Sequence, residues 1–419
     1  LNLVSDPSRL DLPADLRDWV EASARGSLLS ATRHLAGASR SAWNLEVDGA
    51  EGRCALFLLR DKGDGGGSSK DAAVLKALGA TPLPVPRVVG VSEELAAVLL
   101  ERVQGRSDFP AVDHESEREP TARHLMELTG VLHCLDPERL SIPHLEVPST
   151  AQDCASRSLL QSRNALRALG QAADPFFDFA LDWLEANIPS EVSRYSLVHS
   201  DMGPGNFLYS GGAVTGIIDW EVAHFGDPME DLAAISVRDM ATPVGSLAQR
   251  LREYEQSCGI PVDLERVHYY RALVLVRNSL MIGLGLAHPA EGFDVPQMTM
   301  YQTLLMRAAA LVLCDNLGAE RPAVQSSVSR LGSEPLDRSV FDEHEAREIR
   351  ELLGGTVPET GREPREIDAV LRSALAAREQ TAAWRICVAC YFAQRMHRLA
   401  FRRQKLMGPL YGRLPQPLE

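Results

Sequence analysis

Residues 197–209 read L-V-H-S-D-M-G-P-G-N-F-L-Y, residues 216–221 read G-I-I-D-W-E, and residues 226–232 read G-D-P-M-E-D-L. His199, Asp201 and Asn206 stand in an H-x-D-x-x-x-x-N spacing, and thirteen residues after Asn206 comes Asp219, at the end of the apolar run Val214–Ile218. Short apolar runs on both sides of this polar loop read as strands, so the acids stand at strand ends rather than on a helix face. The glycines and Pro204 shape the turn that returns Asn206 toward the strand carrying Asp219.

Two carboxylates and an amide in this order suit phosphoryl transfer. The transferred group spreads charge over three oxygens, which a magnesium ion bridging the phosphates neutralises. Magnesium takes hard oxygen donors and keeps several of its waters, so a carboxylate and an amide are enough. Asn206 and Asp219 fit that role as metal ligands. A second carboxylate must meet the acceptor hydroxyl within hydrogen-bond reach, and Asp201 fits that role. His199 reads as a residue that holds the loop by hydrogen bonds.

The stretch HSDMGPGNFLY…GIIDWEVAHFGDPMEDLA closely resembles the aminoglycoside phosphotransferase and choline kinase-like family. That family's pattern is H-G-D-x-x-x-x-N, then I-D-W/F, then G-D-P-x-x-D-L-A, and Ser200 here replaces its usual glycine. The resemblance implies Asp201 as catalytic base with His199 beside it, and Asn206 and Asp219 as ligands of Mg²⁺. Asp227 and Asp231 become structural acids behind the loop, a role compatible with helix capping. It further implies ATP as phosphoryl donor and a small-molecule hydroxyl as acceptor: an antibiotic, an amino alcohol or a hydroxyacyl thioester. The expected fold class is α+β: a bilobal protein-kinase-like fold with a β-rich N-lobe, a helical C-lobe and an extra C-terminal helical module.

Working toward the N-terminus, residues 14–24 have helical spacing, with Leu16, Trp19 and Val20 on one side. Strand-like runs follow at Thr32–Leu35, Trp43–Val47 and Cys54–Arg60, the first two joined by the small-residue turn 36–39. Lys70–Leu78 reads as a helix, the proline-rich PLPVPRVVGV as a connector to an edge strand, and Leu95–Val103 as the last strand of an N-lobe over residues 1–105. LAGASRSAWNLEV resembles the nucleotide-covering turn, with Gly37 and Ser39 letting backbone amides approach phosphate. By the same resemblance Arg60 stands where the family's phosphate-gripping lysine does, and Asp71 where its partner glutamate does. Lys62 is the alternative, being two residues on along the same strand face. An arginine here, with L-x-G-A-S and P-V-P-R-V, resembles the branch of kinase domains fused to some acyl-CoA dehydrogenases. Glu101 to Val103 would be the hinge whose backbone meets adenine.

From Thr121 the pattern turns helical, resuming at Pro175–Ala186, Leu247–Ser257, Val267–Leu286 and Met300–Leu317, which makes residues 106–320 a helical C-lobe with the substrate site. Residues 321–335 read as a linker and 336–419 as a helical module ending in the basic set Arg395, His397, Arg398, Arg402, Arg403 and Lys405. Cys387 and Cys390 form one CxxC in an apolar run and read as core packing. GDGGGSSK lacks the lysine directly after its last glycine that a P-loop requires, and His133 in GVLHCL reads as a core histidine.

With 43 basic against 57 acidic side chains the chain carries a formal charge of −14, which argues against nucleic-acid binding. Seven scattered cysteines and no visible signal peptide point to the cytoplasm. The most apolar stretch, 272–287, holds Arg277 and Asn278, so no membrane span is expected. Two other readings stay open: a nucleotide-binding regulator without turnover, suggested by Arg60 and Asp71, and a scaffold acting through its C-terminal helices.

Overall fold

A computed structural model describes residues 12–34, 40–49, 52–62, 67–109, 115–170, 174–287 and 295–319. Gly37, Ser39, the CxxC, the linker and the C-terminal basic set lie outside them. The described residues divide into two compact units, one holding residues up to Leu159 together with Leu184–Val274, the other Leu160–Trp183 and the residues from Leu275.

The first unit begins with helix α1 (Ala14–Ala24), then strands β1 (Gly26–His34), β2 (Arg40–Gly49) and β3 (Gly52–Asp61), helix α2 (Gly67–Leu78), and strands β4 (Val88–Ser92) and β5 (Ala97–Glu101). The strands form one antiparallel sheet in the order β1-β2-β3-β5-β4, so β4, which follows the prolines, is an edge. Alternation decides its faces. Trp43, Leu45 and Val47 of β2, Leu56 and Leu58 of β3, and Ala97 and Leu99 of β5 point one way and pack with Leu16 and Val20 of α1 into one core. In the same register Ser41 lies opposite Arg60, and Arg40 opposite Asp61. Arg60 therefore belongs to the α1 face, and Arg40 and Asp61 to the other. That other face is the one α2 meets, where the Asp61 carboxylate accepts from the N–H and hydroxyl of Ser68.

The chain continues through α3 (Glu115–Cys134), α4 (Pro137–Leu140), α5 (Ala151–Leu169) and α6 (Phe176–Ala186). Next come β6 (Ser196–Val198), β7 (Phe207–Ser210), β8 (Ala213–Ile217) and β9 (His224–Gly226), then α7 (Met229–Asp239), α8 (Leu247–Cys258), α9 (Leu264–Ala287) and α10 (Val295–Asn316). β6 pairs with β9, and β7 with β8, each pair antiparallel. α3 packs on α8, where the buried Arg250 bonds Glu119 at 2.8 Å and His133 meets the Tyr254 hydroxyl at 2.8 Å. By length and composition α9 is apolar enough to cross a membrane, and 61% of its apolar window is buried inside the protein, as in a core helix.

Candidate active site

β6 delivers the chain into the loop that starts at His199. Its ring is buried and lies 4.6 Å from the Trp220 ring. Nε2 faces the Ile218 carbonyl at 2.9 Å, so this nitrogen carries the proton, and Nδ1 accepts from the Asp201 N–H at 3.3 Å. His199 thus ties the loop to the strand that leads into Asp219. Both ring nitrogens are spent on backbone, which makes it a positioning residue.

Ser200 stands at φ +69, in the left-handed region where glycine has no steric cost. Its side chain supplies a compensation that glycine lacks: the hydroxyl donates to the buried Glu230 carboxylate at 2.5 Å. The backbone N–H groups of His199 and Ser200 both donate to Asp231, at 2.9 and 2.6 Å, and His133 Nε2 donates to the same carboxylate at 3.0 Å. Asp231 lies at the start of α7, fully buried, so the loop's backbone is held by one charged group with three donors. Asp227 caps the same helix, accepting from Met229 N–H at 3.0 Å, and pairs with Arg266 at 3.0 Å. Burial raises its carboxyl and Arg266 opposes the rise, leaving it at about 6.

Asp201 is presented with its side chain 27% exposed. Arg238 grips it in a fork, Nε donating to Oδ1 at 2.9 Å and Nη2 to Oδ2, while its Nη1 donates to the Pro204 carbonyl at 2.8 Å. Room for this arginine is made by Gly203, at φ +136, where an added Cβ would stand 3.0 Å from Arg238 Cδ. Asn206 donates from Nδ2 to the Asp201 carbonyl at 2.9 Å and carboxylate at 2.8 Å. That leaves the amide oxygen as the end of Asn206 suited to a cation.

Asp219 follows β8 at φ +70, 37% exposed. Among the described residues no cluster of three or more His, Cys, Asp or Glu side chains is arranged to hold a metal by itself. One exposed carboxylate and one amide oxygen fit a hard cation that keeps most of its ligands as water and phosphate oxygen.

The N-lobe side of the site differs from the expected one. Asp71 is buried and bonds not Arg60 but Arg40, whose Nη1 donates to it at 2.8 Å. A second oxygen of Asp71 accepts the Trp220 N–H at 3.0 Å, linking α2 to the strand end that carries Asp219. Arg40 Nη2 also bonds Asp219, and Nε lies 3.2 Å from Glu221. Burial works against the Arg40 charge, but the carboxylates of Asp71, Asp219 and Glu221 outweigh it and raise its pKa. Arg60 lies 3.5 Å from Asp15 on α1, as its strand face dictates. Lys62 stands one residue beyond the end of β3 and is exposed. Neither basic residue meets Asp71; the expected pairing is corrected to Arg40.

At the expected hinge, Glu101 is exposed and pairs with Arg87 at 2.9 Å. Val103 packs over Gly216 of β8, where an added Cβ would stand 3.0 Å from Val103 Cγ1. Gly105, at φ +147, passes so close to Thr215 that a Cβ would lie 2.6 Å from its hydroxyl. The segment after β5 is thereby pressed onto the β7–β8 hairpin.

Sequence reasoning missed Arg40, Arg238 and Glu221 as parts of the site. Arg238 had a signal: it follows Asp231 by seven residues, two helical turns, so both share the α7 face that meets the loop.

A five-stranded antiparallel sheet with helices α1 and α2 on its two faces, followed by a lobe whose H-x-D-x-x-x-x-N loop is tied to the strand leading into Asp219, defines a bilobal kinase-like protein. The chain belongs to the phosphotransferase enzyme family, whose pattern matches residues 31–270. Its curated relatives include acyl-CoA dehydrogenase family member 11 of Rattus norvegicus, 26% identical over 212 residues, or 48% of this chain and 27% of that protein. Another is hygromycin-B 4-O-kinase of Escherichia coli, 24% identical over 204 residues, covering 43% of this chain and 55% of the relative. Among solved structures, a thermostable mutant of aminoglycoside phosphotransferase APH(4)-Ia in complex with ADP and hygromycin B shares the fold. It has a TM-score of 0.52 and 20% identity, over 71% of this chain and 99% of that one. The chain thus spans little more than a quarter of the acyl-CoA dehydrogenase relative and about half of the kinase.

Proposed function

We propose that this chain is a phosphotransferase that uses ATP and Mg²⁺ and transfers the γ-phosphoryl group to a hydroxyl of a small molecule. The observation that carries the reading is the presentation of Asp201: a partly exposed carboxylate gripped by Arg238 and Asn206, on a loop held by Asp231, beside Asp219. In this reading Asp219 and the amide oxygen of Asn206 hold the metal. Bound there, Mg²⁺ would neutralise charge on the β- and γ-phosphate oxygens. Asp201 orients the acceptor hydroxyl and takes its proton as the new oxygen–phosphorus bond forms and the bond to ADP breaks. His199 and Asp231 keep the loop in the shape that this requires, and the fork of Arg238 keeps Asp201 oriented.

The same reading divides the chain into an N-lobe through residue 105, with the hinge at Glu101–Val103 meeting adenine, a C-lobe to about 320 and a further module beyond. Gly37 and Ser39, outside the described residues, would cover the phosphates. The relatives point to two acceptor classes: an aminoglycoside, from the hygromycin kinase, and a hydroxyacyl thioester, from the acyl-CoA dehydrogenase relative. The five described cysteines are free thiols, which suits a cytoplasmic setting. The regulator reading loses its main support, because Arg40 restores the buried pair that Arg60 was expected to make with Asp71.

A screen of ADP formation with Mg-ATP over aminoglycosides, amino alcohols and hydroxyacyl-CoAs tests the reading. Acceptor-dependent ADP release is expected from one class. A nucleotide-induced rise in Tm with no turnover on any acceptor would favour the regulator instead.

A further inference from the structure

We infer that Arg40, at the start of β2, is the cation that grips the phosphates of the nucleotide, in place of a basic residue on β3. This rests on the phosphotransferase reading and deepens it. Three observations carry it. First, the sheet register excludes Arg60, which lies on the α1 face and pairs with Asp15, whereas Arg40 lies on the face that α2 meets; Lys62 stands one residue beyond the end of β3 and is exposed. Second, Arg40 is held as a phosphate-binding side chain must be. Its own side chain is 7% exposed, and its Nη1 is fixed by Asp71, itself 2% exposed and anchored by the Trp220 N–H. Third, the rest of the fork is turned to the metal-binding carboxylate. Nη2 bonds Asp219 and Nε faces Glu221, and both of these acids are partly open to solvent, at 37% and 27%.

A guanidinium is a planar fork, so one edge can stay on Asp71 while the other serves a second anion. Here that second anion is Asp219. Were a magnesium ion held by Asp219, that carboxylate would be less available to Arg40, and the phosphates beside it would give the guanidinium acceptors at the same place. Arg40 then joins α2, the metal site and the triphosphate through one side chain. Glu221 is a third carboxylate beside the same arginine, at 3.2 Å from Nε.

The test compares binding of Mg-AMP-PNP and of adenosine to the full chain by calorimetry, for the unaltered protein, Arg40→Gln, Arg40→Lys and Arg60→Gln, with melting curves to confirm folding. Arg40→Gln is expected to weaken Mg-AMP-PNP by about tenfold or more, the loss of a charge-assisted fork, and to leave adenosine within about twofold. Arg40→Lys keeps the charge but not the fork, and should lie between the two; it decides the matter if Arg40→Gln does not fold. Arg60→Gln should bind both ligands as the unaltered protein does. The assignment is overturned if both Arg40 variants bind Mg-AMP-PNP normally, if adenosine is lost in proportion, or if Arg60→Gln is the variant that weakens. Should the unaltered chain bind no Mg-AMP-PNP at all, the phosphotransferase reading falls and this assignment with it.

Discussion

Replacing Ser200 by alanine and by glycine separates two opposing effects at the centre of the loop. Ser200 holds a left-handed backbone, φ +69, which costs a residue with a Cβ about 1–2 kcal/mol. Its hydroxyl donates to the buried Glu230 carboxylate at 2.5 Å, and losing a hydrogen bond to a buried charged group costs about 1.5–3 kcal/mol. Alanine loses the bond and keeps the backbone cost, so Ser200→Ala should destabilise by about 2 kcal/mol. Glycine also loses the bond but regains about 1.5 kcal/mol of backbone relief, less roughly 0.7 kcal/mol for the greater freedom of the unfolded chain. Ser200→Gly should therefore destabilise by only about 1 kcal/mol, even though it restores the family's usual residue. Urea unfolding followed by tryptophan fluorescence measures both; Trp220, packed on His199, reports from the site itself. Equal stability of the two variants would refute the backbone argument. A glycine variant more stable than the unaltered protein would show that the bond to Glu230 contributes less than the net backbone relief, below the range for a bond to a buried carboxylate.

Gly105→Ala should destabilise by about 2 kcal/mol and weaken nucleotide binding, because its Cβ would stand 2.6 Å from the Thr215 hydroxyl at a backbone angle of φ +147; normal melting and normal calorimetry would contradict the account of the hinge. Asp227 carries a pH signature. Its carboxyl is raised to about 6 by burial, so the stability it contributes is full below the unfolded value near pH ~4 and is lost as pH rises through about 6. Asp227→Asn cannot ionise and should flatten the fall in urea midpoint across that window; an unchanged slope would show that Arg266 keeps the carboxylate charged throughout.

How much of this was legible in the sequence depended on how local the chemistry is. His199, Asp201, Asn206 and Asp219 lie within one loop and one hairpin, so their spacing was enough to place them together. Asp231 was legible for the same reason, being fixed relative to the loop by a short strand and a helix start. Arg40 was not. A strand shows its face only through its register with neighbours, and shifting attention by one residue, from the Arg60 face to the Asp61 face, exchanges the α1 side for the α2 side. Arg238 was hidden because its partner is 37 residues away, although helical periodicity from Asp231 put it on the right face. Helix α5 went unread for a different reason. Its buried positions repeat at helical spacing, but Ala151, Cys154, Ala155, Ser158 and Ser162 fill most of them, so hydrophobicity gave little periodic signal.

The central claim is that Asp201 handles the acceptor's proton. Its most direct test is acceptor-dependent ADP formation by Asp201→Asn beside the unaltered chain, with Mg-AMP-PNP affinity measured in parallel. The account predicts that turnover falls by at least ~100-fold while nucleotide affinity changes little, since general-base catalysis contributes about 10²–10⁴-fold. Turnover retained within a few-fold, in a variant that binds nucleotide normally, would contradict it.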